Sequence, residues 1–170
     1  MPKILAGAVV DVYPFRVIED RSQYLALKRM PNLPLGNTWQ VVHARIERKE
    51  TAVRAAVREL KQQTGLTPTG MWNIDYVNSF FSPEEDVVFL VPSIGVLVDN
   101  NDDVSLTPEH VSWEWVSSTT ALKRFMWVGQ RLAIQTLQEE IAGPMADNQQ
   151  PNPYLEIDAA LYTPPKRGRR

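Results

Sequence analysis

Cysteine is absent from the chain. A disulfide scaffold and a thiolate metal site are therefore excluded, and the sequence suits a cytoplasmic protein. No apolar run approaches the ~20 residues of a membrane-spanning helix, so no membrane partner is expected. The N-terminal run Met1–Val10 is too short for a signal peptide's apolar segment plus cleavage site, and it reads as strand. Net charge is also scarce: 18 basic and 20 acidic side chains leave a formal charge of −2. No field draws the chain to a polyanion, and general nucleic-acid binding is not expected. What is present is ordinary: 44% of the 170 residues are hydrophobic and 22% charged, enough for one domain with a full core.

Taken in order, Ile4–Tyr13 reads as a buried strand broken by Pro14, and Glu19–Ser22 as a polar turn. Tyr24–Arg29 is a second strand, and Met30–Asn37, with two prolines and a glycine, is a loop. Trp39–Val42 is a short third strand. Trp72–Phe81 and the β-branched Val87–Val98 follow, with Pro92 suggesting an edge position or a bulge. The acidic turn Asp99–Asp103 lacks the later glutamate of a calcium loop. Glu109–Val116 is β-like, with Trp113 and Trp115 on one face. Ser117–Thr119 is a capping cluster, and a helix is expected to run on to Ile141, burying Val128, Leu132, Ile134, Leu137 and Ile141 until Gly143-Pro144 stops it. These elements predict an α+β fold of mixed α/β layers. Residues 1–142 form the expected domain. Residues 143–170 form a Pro-rich tail, partly docked or mobile, with Tyr154–Ile157 and Leu161–Tyr162 able to dock and a basic end at Lys166–Arg170.

The stretch Ala44–Leu66 is the centre of the sequence. Thr51 can cap its helix and Gly65 stop it, and Ala52, Val53, Ala56, Val57 and Leu60 fall on one apolar face. Glu59, Gln62 and Gln63 sit at i, i+3 and i+4, so they converge on one patch. Three carboxylates there would hold a magnesium ion; two of these three positions carry amides.

This stretch resembles the signature of the Nudix hydrolase family, also called MutT-like. Anchored on Gly65, the signature falls on Ala44–Leu66 without a gap: Glu50, Arg58, Glu59, Leu60, Gly65 and Leu66 match, whereas Ala44, Gln62 and Gln63 do not. The flanks are similar too. Tyr24–Arg29 looks like the family's second strand and Gly36–Gln40 like the lead-in. Glu109–Val116, followed by a helix with Trp127 and Arg131, looks like the branch of dATP and dihydroneopterin triphosphate pyrophosphohydrolases and dinucleoside tetraphosphate hydrolases. The resemblance implies a central mixed β-sheet sandwiched between helices. It also implies metal-dependent hydrolysis of a nucleoside diphosphate linked to a group X.

In such enzymes Mg2+ or Mn2+ holds the phosphates and activates water, using helix carboxylates as hard oxygen donors. The resemblance places Glu59, Gln62, Gln63 and Glu109 as metal donors, and Glu59, Glu109 and Glu50 as the catalytic set. Losing two negative charges within ~4 Å of the ion should cost several kcal/mol of metal affinity, even at an effective dielectric of about 20. Ala44 keeps a carbonyl but would be strained at positive φ. Lys49 adds a positive charge that either repels metal or holds a phosphate, and Arg58 is expected to position the glutamates. Glu47 matches a frequent acid of the signature, and His110 beside Glu109 reads as a surface residue. Arg29 and Lys28 are placed to reach phosphate, and Phe80, Phe81, Trp72 and Trp127 to stack on a base. In the family the base and X are read by loops, which here are residues 30–37, 82–86 and 99–108. Two readings follow. One is a hydrolase of a small-molecule nucleotide, weakened by the two glutamines; the other is a non-catalytic Nudix-fold module binding a nucleotide or a protein. The tail and an edge strand at Pro92 would suit a homodimer.

Overall fold

The computed structural model describes residues 1–163; the basic end at Lys166–Arg170 lies outside them. The chain runs β1 (Lys3–Ala6), β2 (Val9–Ile18), β3 (Arg21–Arg29), β4 (Trp39–Gln40), β5 (Val42–Arg45), α1 (Ala52–Thr64), β6 (Pro68–Ser82), β7 (Val87–Val98), β8 (His110–Val116), α2 (Ser118–Arg124) and α3 (Val128–Leu137). A π-helical turn, Gln138–Ala142, then leads into the short α4 (Gly143–Ala146). One mixed sheet holds all eight strands, with the path β1-β7-β2-β3-β4; β5 joins β2, β6 joins β7 and β8 joins β3. β7 lies parallel to β1 and β2, and the other pairings are antiparallel.

The sheet is covered on both faces, as expected for the α+β layered fold. On one face Ala55, Ala56 and Leu60 of α1 close over Val10, Val12, Leu25, Leu27, Val42 and Ala44. On the other, Ala133, Ile134 and Leu137 of α3, with Ile141, close over Tyr13, Phe15, Tyr24 and Trp72. Strand alternation divides the two sets, since successive side chains point to opposite faces. Thr51 caps α1 by accepting from Arg54 N, and Gly65 ends it in the left-handed region at φ 75°. No helix among the described residues is long and apolar enough to cross a membrane.

All three prolines expected to interrupt an element do not. Pro14 lies inside β2, between Val12, where pairing with β5 ends, and Phe15, where pairing with β3 begins. Its missing N–H falls where that edge of the strand asks for no ladder bond. Pro92 is inside β7, an interior strand, in the same kind of gap: β1 pairs up to Leu90 and β2 from Ser93. The bulge lies in the partner, where the β6 register shifts between Asn73 and Val77. Pro92 therefore marks no free edge, which removes that support for a homodimer. Pro144 sits in the first turn of α4, where no N–H is needed; the π-turn before it carries the helix through, with Gly143 N donating to Gln138 O.

The C-terminal helix is broken instead at Phe125, whose backbone is extended and whose ring is buried in the core. Arg131 donates to the freed carbonyls of Phe125 and Met126 at 2.8 and 2.7 Å. The break rotates α3, so its buried face is Gly129, Gln130, Ala133, Ile134 and Leu137, while Val128 and Leu132 face outward, contrary to the sequence pattern. Beyond α4 the tail docks: Ile157 N donates to Met71 O, Leu155 packs on the α3-side core, and Ile157 and Tyr162 pack on the α1 side, while Tyr154 stays exposed.

Candidate functional site

The patch on α1 is held by one guanidinium. Arg58 donates through Nε and Nη2 to the two oxygens of Glu50 at 2.9 and 2.8 Å, through Nη1 to Glu59 Oε1 at 2.5 Å, and through Nη2 to the Arg45 carbonyl at 2.8 Å. Such paired, charge-assisted contacts fix both carboxylates. Glu50 also accepts from Glu47 N, which closes the turn before the helix. Arg58 holds the Glu50 carboxyl below the usual range, chiefly through its hydrogen bonds, and the pair raises the arginine's own pKa. Gln63 completes the cluster: its Nε2 donates to Glu59 Oε2 at 2.9 Å and to the His43 carbonyl at 3.0 Å. Gln62 remains at the rim, exposed, with Oε1 3.5 Å from Arg58. Lys49 adopts φ 66° in the turn, whereas Ala44 sits in β5 without positive φ, so the expected strain at Ala44 does not arise.

On the α3 side of the sheet, a cleft of about 710 Å3 opens between strand ends and the first turn of α3. β2 and β5 supply Asp11 and His43; β3 supplies Arg29; β6 supplies Asn78, Ser79, Phe80 and Phe81; Glu109 and His110 lead into β8; and Trp127–Gln130 open α3. Gln63 borders it from the end of α1. Gly129 packs closely on β6: a Cβ there would meet Asn78 Oδ1 at 2.0 Å, so the Asn78 side chain would have to move. Phe80 is committed on one side, stacking on Phe89 at 5.0 Å, while Phe81 and Trp127 are about half exposed.

Two histidines in this cleft are set in opposite ways. His43 Nδ1 lies 2.6 Å from Asp11 Oδ1, with Asp11 buried and the imidazole half exposed. That hydrogen bond raises the His43 pKa, against burial, which acts to lower it. His110 is buried, and its Nδ1 has no partner among the described residues. Burial lowers its pKa, which keeps it neutral at physiological pH. Gln130 is also buried, with Oε1 unpartnered. Buried polar atoms without partners are uncommon, and of the six among the described residues these two line the cleft.

The structure thus divides the residues singled out from sequence. Arg29, Phe80, Phe81, Trp127, Glu109 and Gln63 meet in the cleft. Glu59, Glu50 and Gln62 belong to the Arg58 cluster beside it and do not line it. Trp72 is core, 6% exposed and packed on Phe15 at 5.9 Å, so it stacks on no ligand. Lys28 lies over the Trp39 ring, and Glu47 is exposed outside the cleft. His110 is not the surface residue expected. Of the three loops, only residues 30–37 contribute to the cleft, through Pro34 and Leu35; Arg29 donates to the Pro34 carbonyl at 2.6 Å. Asp11, His43, Asn78 and Gln130 were not read from the sequence. A lone aspartate inside the apolar run Val9–Tyr13 was the available signal, because a buried carboxylate needs a partner.

A divalent ion held in the family manner needs several carboxylate oxygens free to converge on it. Both oxygens of Glu50 and both of Glu59 already accept hydrogen bonds, Gln62 and Gln63 bring neutral amides, and Glu109 stands in the cleft. Among the described residues no three His, Cys, Asp or Glu side chains cluster to hold a metal. As arranged, the donor set does not fit a carboxylate-held magnesium ion.

Comparison with known proteins agrees with this architecture. The NUDIX domain profile matches residues 9–137. A curated relative, an octanoyltransferase of Myxococcus xanthus, is 35% identical over 116 residues, which are 67% of this chain and 32% of that protein. The chain thus spans about a third of that relative's length. Among solved structures, an Ap4A hydrolase of C. elegans superposes with a TM-score of 0.66 at 20% identity, covering 79% of this chain and 97% of that one. The E. coli dihydroneopterin triphosphate pyrophosphohydrolase gives 0.60 at 19% identity, covering 75% and 91%. These two similarities are of fold. Together with a profile match over most of the chain, they place this protein in the Nudix family.

Proposed function

We propose that this chain takes a nucleoside diphosphate linked to a group X into the cleft, and that Mg2+- or Mn2+-dependent hydrolysis of it is weakened by Gln62 and Gln63. One observation carries the reading: a cleft of about 710 Å3 brings an arginine, Arg29, together with the aromatic faces of Phe81 and Trp127 and the rim of Phe80, beside the end of α1. That combination suits a ligand with a phosphate at one end and a flat ring at the other, and the volume is that of a small-molecule site. Arg29 takes the phosphate, and Phe80 and Phe81 hold the base. Glu109 is the carboxylate left in the cleft to act as base, while Glu59 and Glu50 are both held by Arg58. Ap4A, named for one fold neighbour, belongs to this substrate class, and dihydroneopterin triphosphate, named for another, shares its flat ring and phosphate chain without being a nucleotide. The octanoyltransferase relative matches over only 32% of its length, and its acyl chemistry is not carried to this cleft.

A second reading, a non-catalytic nucleotide-binding module, is favoured by the closed state of Glu59, whose two oxygens are taken by Arg58 and Gln63. The experiment that separates the two incubates the protein with Mg2+ or Mn2+ and ATP, Ap4A or ADP-ribose, and repeats this with Gln62→Glu plus Gln63→Glu. The weakened hydrolase turns over one of these slowly, and the double variant gains on the order of 100-fold through restored metal affinity. Turnover at an ordinary family rate by the unaltered chain would contradict the weakening. No turnover by either protein would leave the binding module.

A further inference from the structure

The Gln63 carboxamide is the least expected group at the site. A carboxylate oxygen, Glu59 Oε2, and a main-chain carbonyl, that of His43, converge from two elements on one point. Two hard oxygen donors aimed at one point invite a cation. Here the point is occupied by Gln63 Nε2, at 2.9 Å from the carboxylate and 3.0 Å from the carbonyl. An amide nitrogen carries two hydrogens, and this one spends one on each oxygen. The surroundings leave it little freedom. Glu59 is held from its other side by Arg58 at 2.5 Å, and His43 is fixed by its 2.6 Å contact with buried Asp11. A glutamate at position 63 could donate to neither oxygen and would bring a further negative charge against Glu59, so the arrangement requires the amide.

We propose that the Gln63 carboxamide takes the place of a divalent cation, tying the α1 carboxylate to the β5 carbonyl, so that the chain is structurally complete and binds its cleft ligand without metal. The ligand half of this statement rests on the nucleotide reading above; the metal half stands by itself. The charge of the ligand's phosphates then falls to side chains, with Arg29 the guanidinium in the cleft. Gln63 is a positioning residue in this scheme: it sets the spacing of α1 and β5 beneath the cleft and touches no reacting atom.

The test is a Mn2+ titration of the full chain followed by electron paramagnetic resonance, without nucleotide, alongside thermal melts with and without Mn2+. The expected result is no saturable Mn2+ binding in the micromolar range and an unchanged Tm. Gln63→Glu is expected to melt lower without metal, to bind Mn2+, and to recover in its presence. Gln63→Met, which loses both hydrogen bonds but adds no charge, is expected to melt lower and gain no Mn2+ binding; it keeps the test decisive if Gln63→Glu does not fold. Micromolar Mn2+ binding by the unaltered chain overturns the proposal, as does a Gln63→Met protein that melts like wild type. ADP-ribose binding is then measured by calorimetry in EDTA and in Mg2+. Affinities within about twofold of each other support metal-free recognition, and loss of binding in EDTA overturns it. If neither ADP-ribose nor ATP binds under either condition, the nucleotide reading fails, and the Mn2+ and melting results still decide the role of Gln63.

Discussion

The Arg58 cluster and the cleft lie side by side yet treat their polar groups in opposite ways. In the cluster Arg58, Glu50, Glu59 and Gln63 satisfy one another within the chain, with six contacts between 2.5 and 3.0 Å once the Arg45 and His43 carbonyls are included. In the cleft, His110 Nδ1 and Gln130 Oε1 have no partner among the described residues, and Phe81 and Trp127 present half their area to solvent. The first arrangement stabilises the fold. The second costs stability, because buried polar atoms without partners are unfavourable. The segment that carries the family signature is thus largely a structural clamp here, and the cleft proposed for the ligand is built, Gln63 apart, from residues outside that segment.

Breaking the clamp should have the largest effect. Arg58→Ala leaves Glu50 and Glu59 facing each other without a counter-charge and should cost about 2–3 kcal/mol, read as a lower urea midpoint at unchanged m-value. A variant that keeps wild-type stability would show that the clamp does not hold the loop to the helix. Next comes the joint between α3 and the cleft wall. Gly129→Val places a side chain into Asn78 and should cost about 1–3 kcal/mol. Asn78→Ala should relieve most of it, so additivity of the two changes would contradict the assigned contact.

Cleft changes should act on binding and leave the urea midpoint where it is. Phe81→Ala removes one aromatic face and should weaken ADP-ribose binding by about 3–10-fold. The opposite result, a stability loss with unchanged affinity, would move Phe81 from ligand wall to fold. The smallest effect is the sharpest in sign, and histidine NMR titration reads it. His43, raised by Asp11, contributes stability that is fully present below its ordinary value of 6.5 and is lost as pH rises through the folded value. His110, lowered by burial, contributes stability present above 6.5 and lost as pH falls through the folded value. Asp11→Asn should lower the His43 pKa and leave that of His110 where it is. Two histidines moving together would undo the distinction.

How much of this could be read from the chain depends on the range of the forces involved. α1 was legible because its apolar periodicity and both its caps, Thr51 and Gly65, are local. The Arg58–Glu50 and Arg58–Glu59 pairs follow from the same short register. Pro14 and Pro92 were misread because a strand tolerates proline where its neighbour changes, and which neighbour it has is a tertiary fact. The rotation of α3 was hidden for a similar reason: its periodic pattern runs through the break at Phe125, which only the buried ring and Arg131 impose. Half the cleft was visible as residue types near strand ends. The Asp11–His43 pair was not, because it joins side chains 32 positions apart across two strands.

The division between clamp and cleft is tested most directly by amide NMR shifts of the full chain on addition of ADP-ribose without metal. The account predicts shifts at Arg29, Phe80, Phe81, His110 and Gln130, with Glu47–Arg54 unmoved. Shifts centred on Glu47–Arg54 and the exposed face of α1, with the cleft silent, would contradict it.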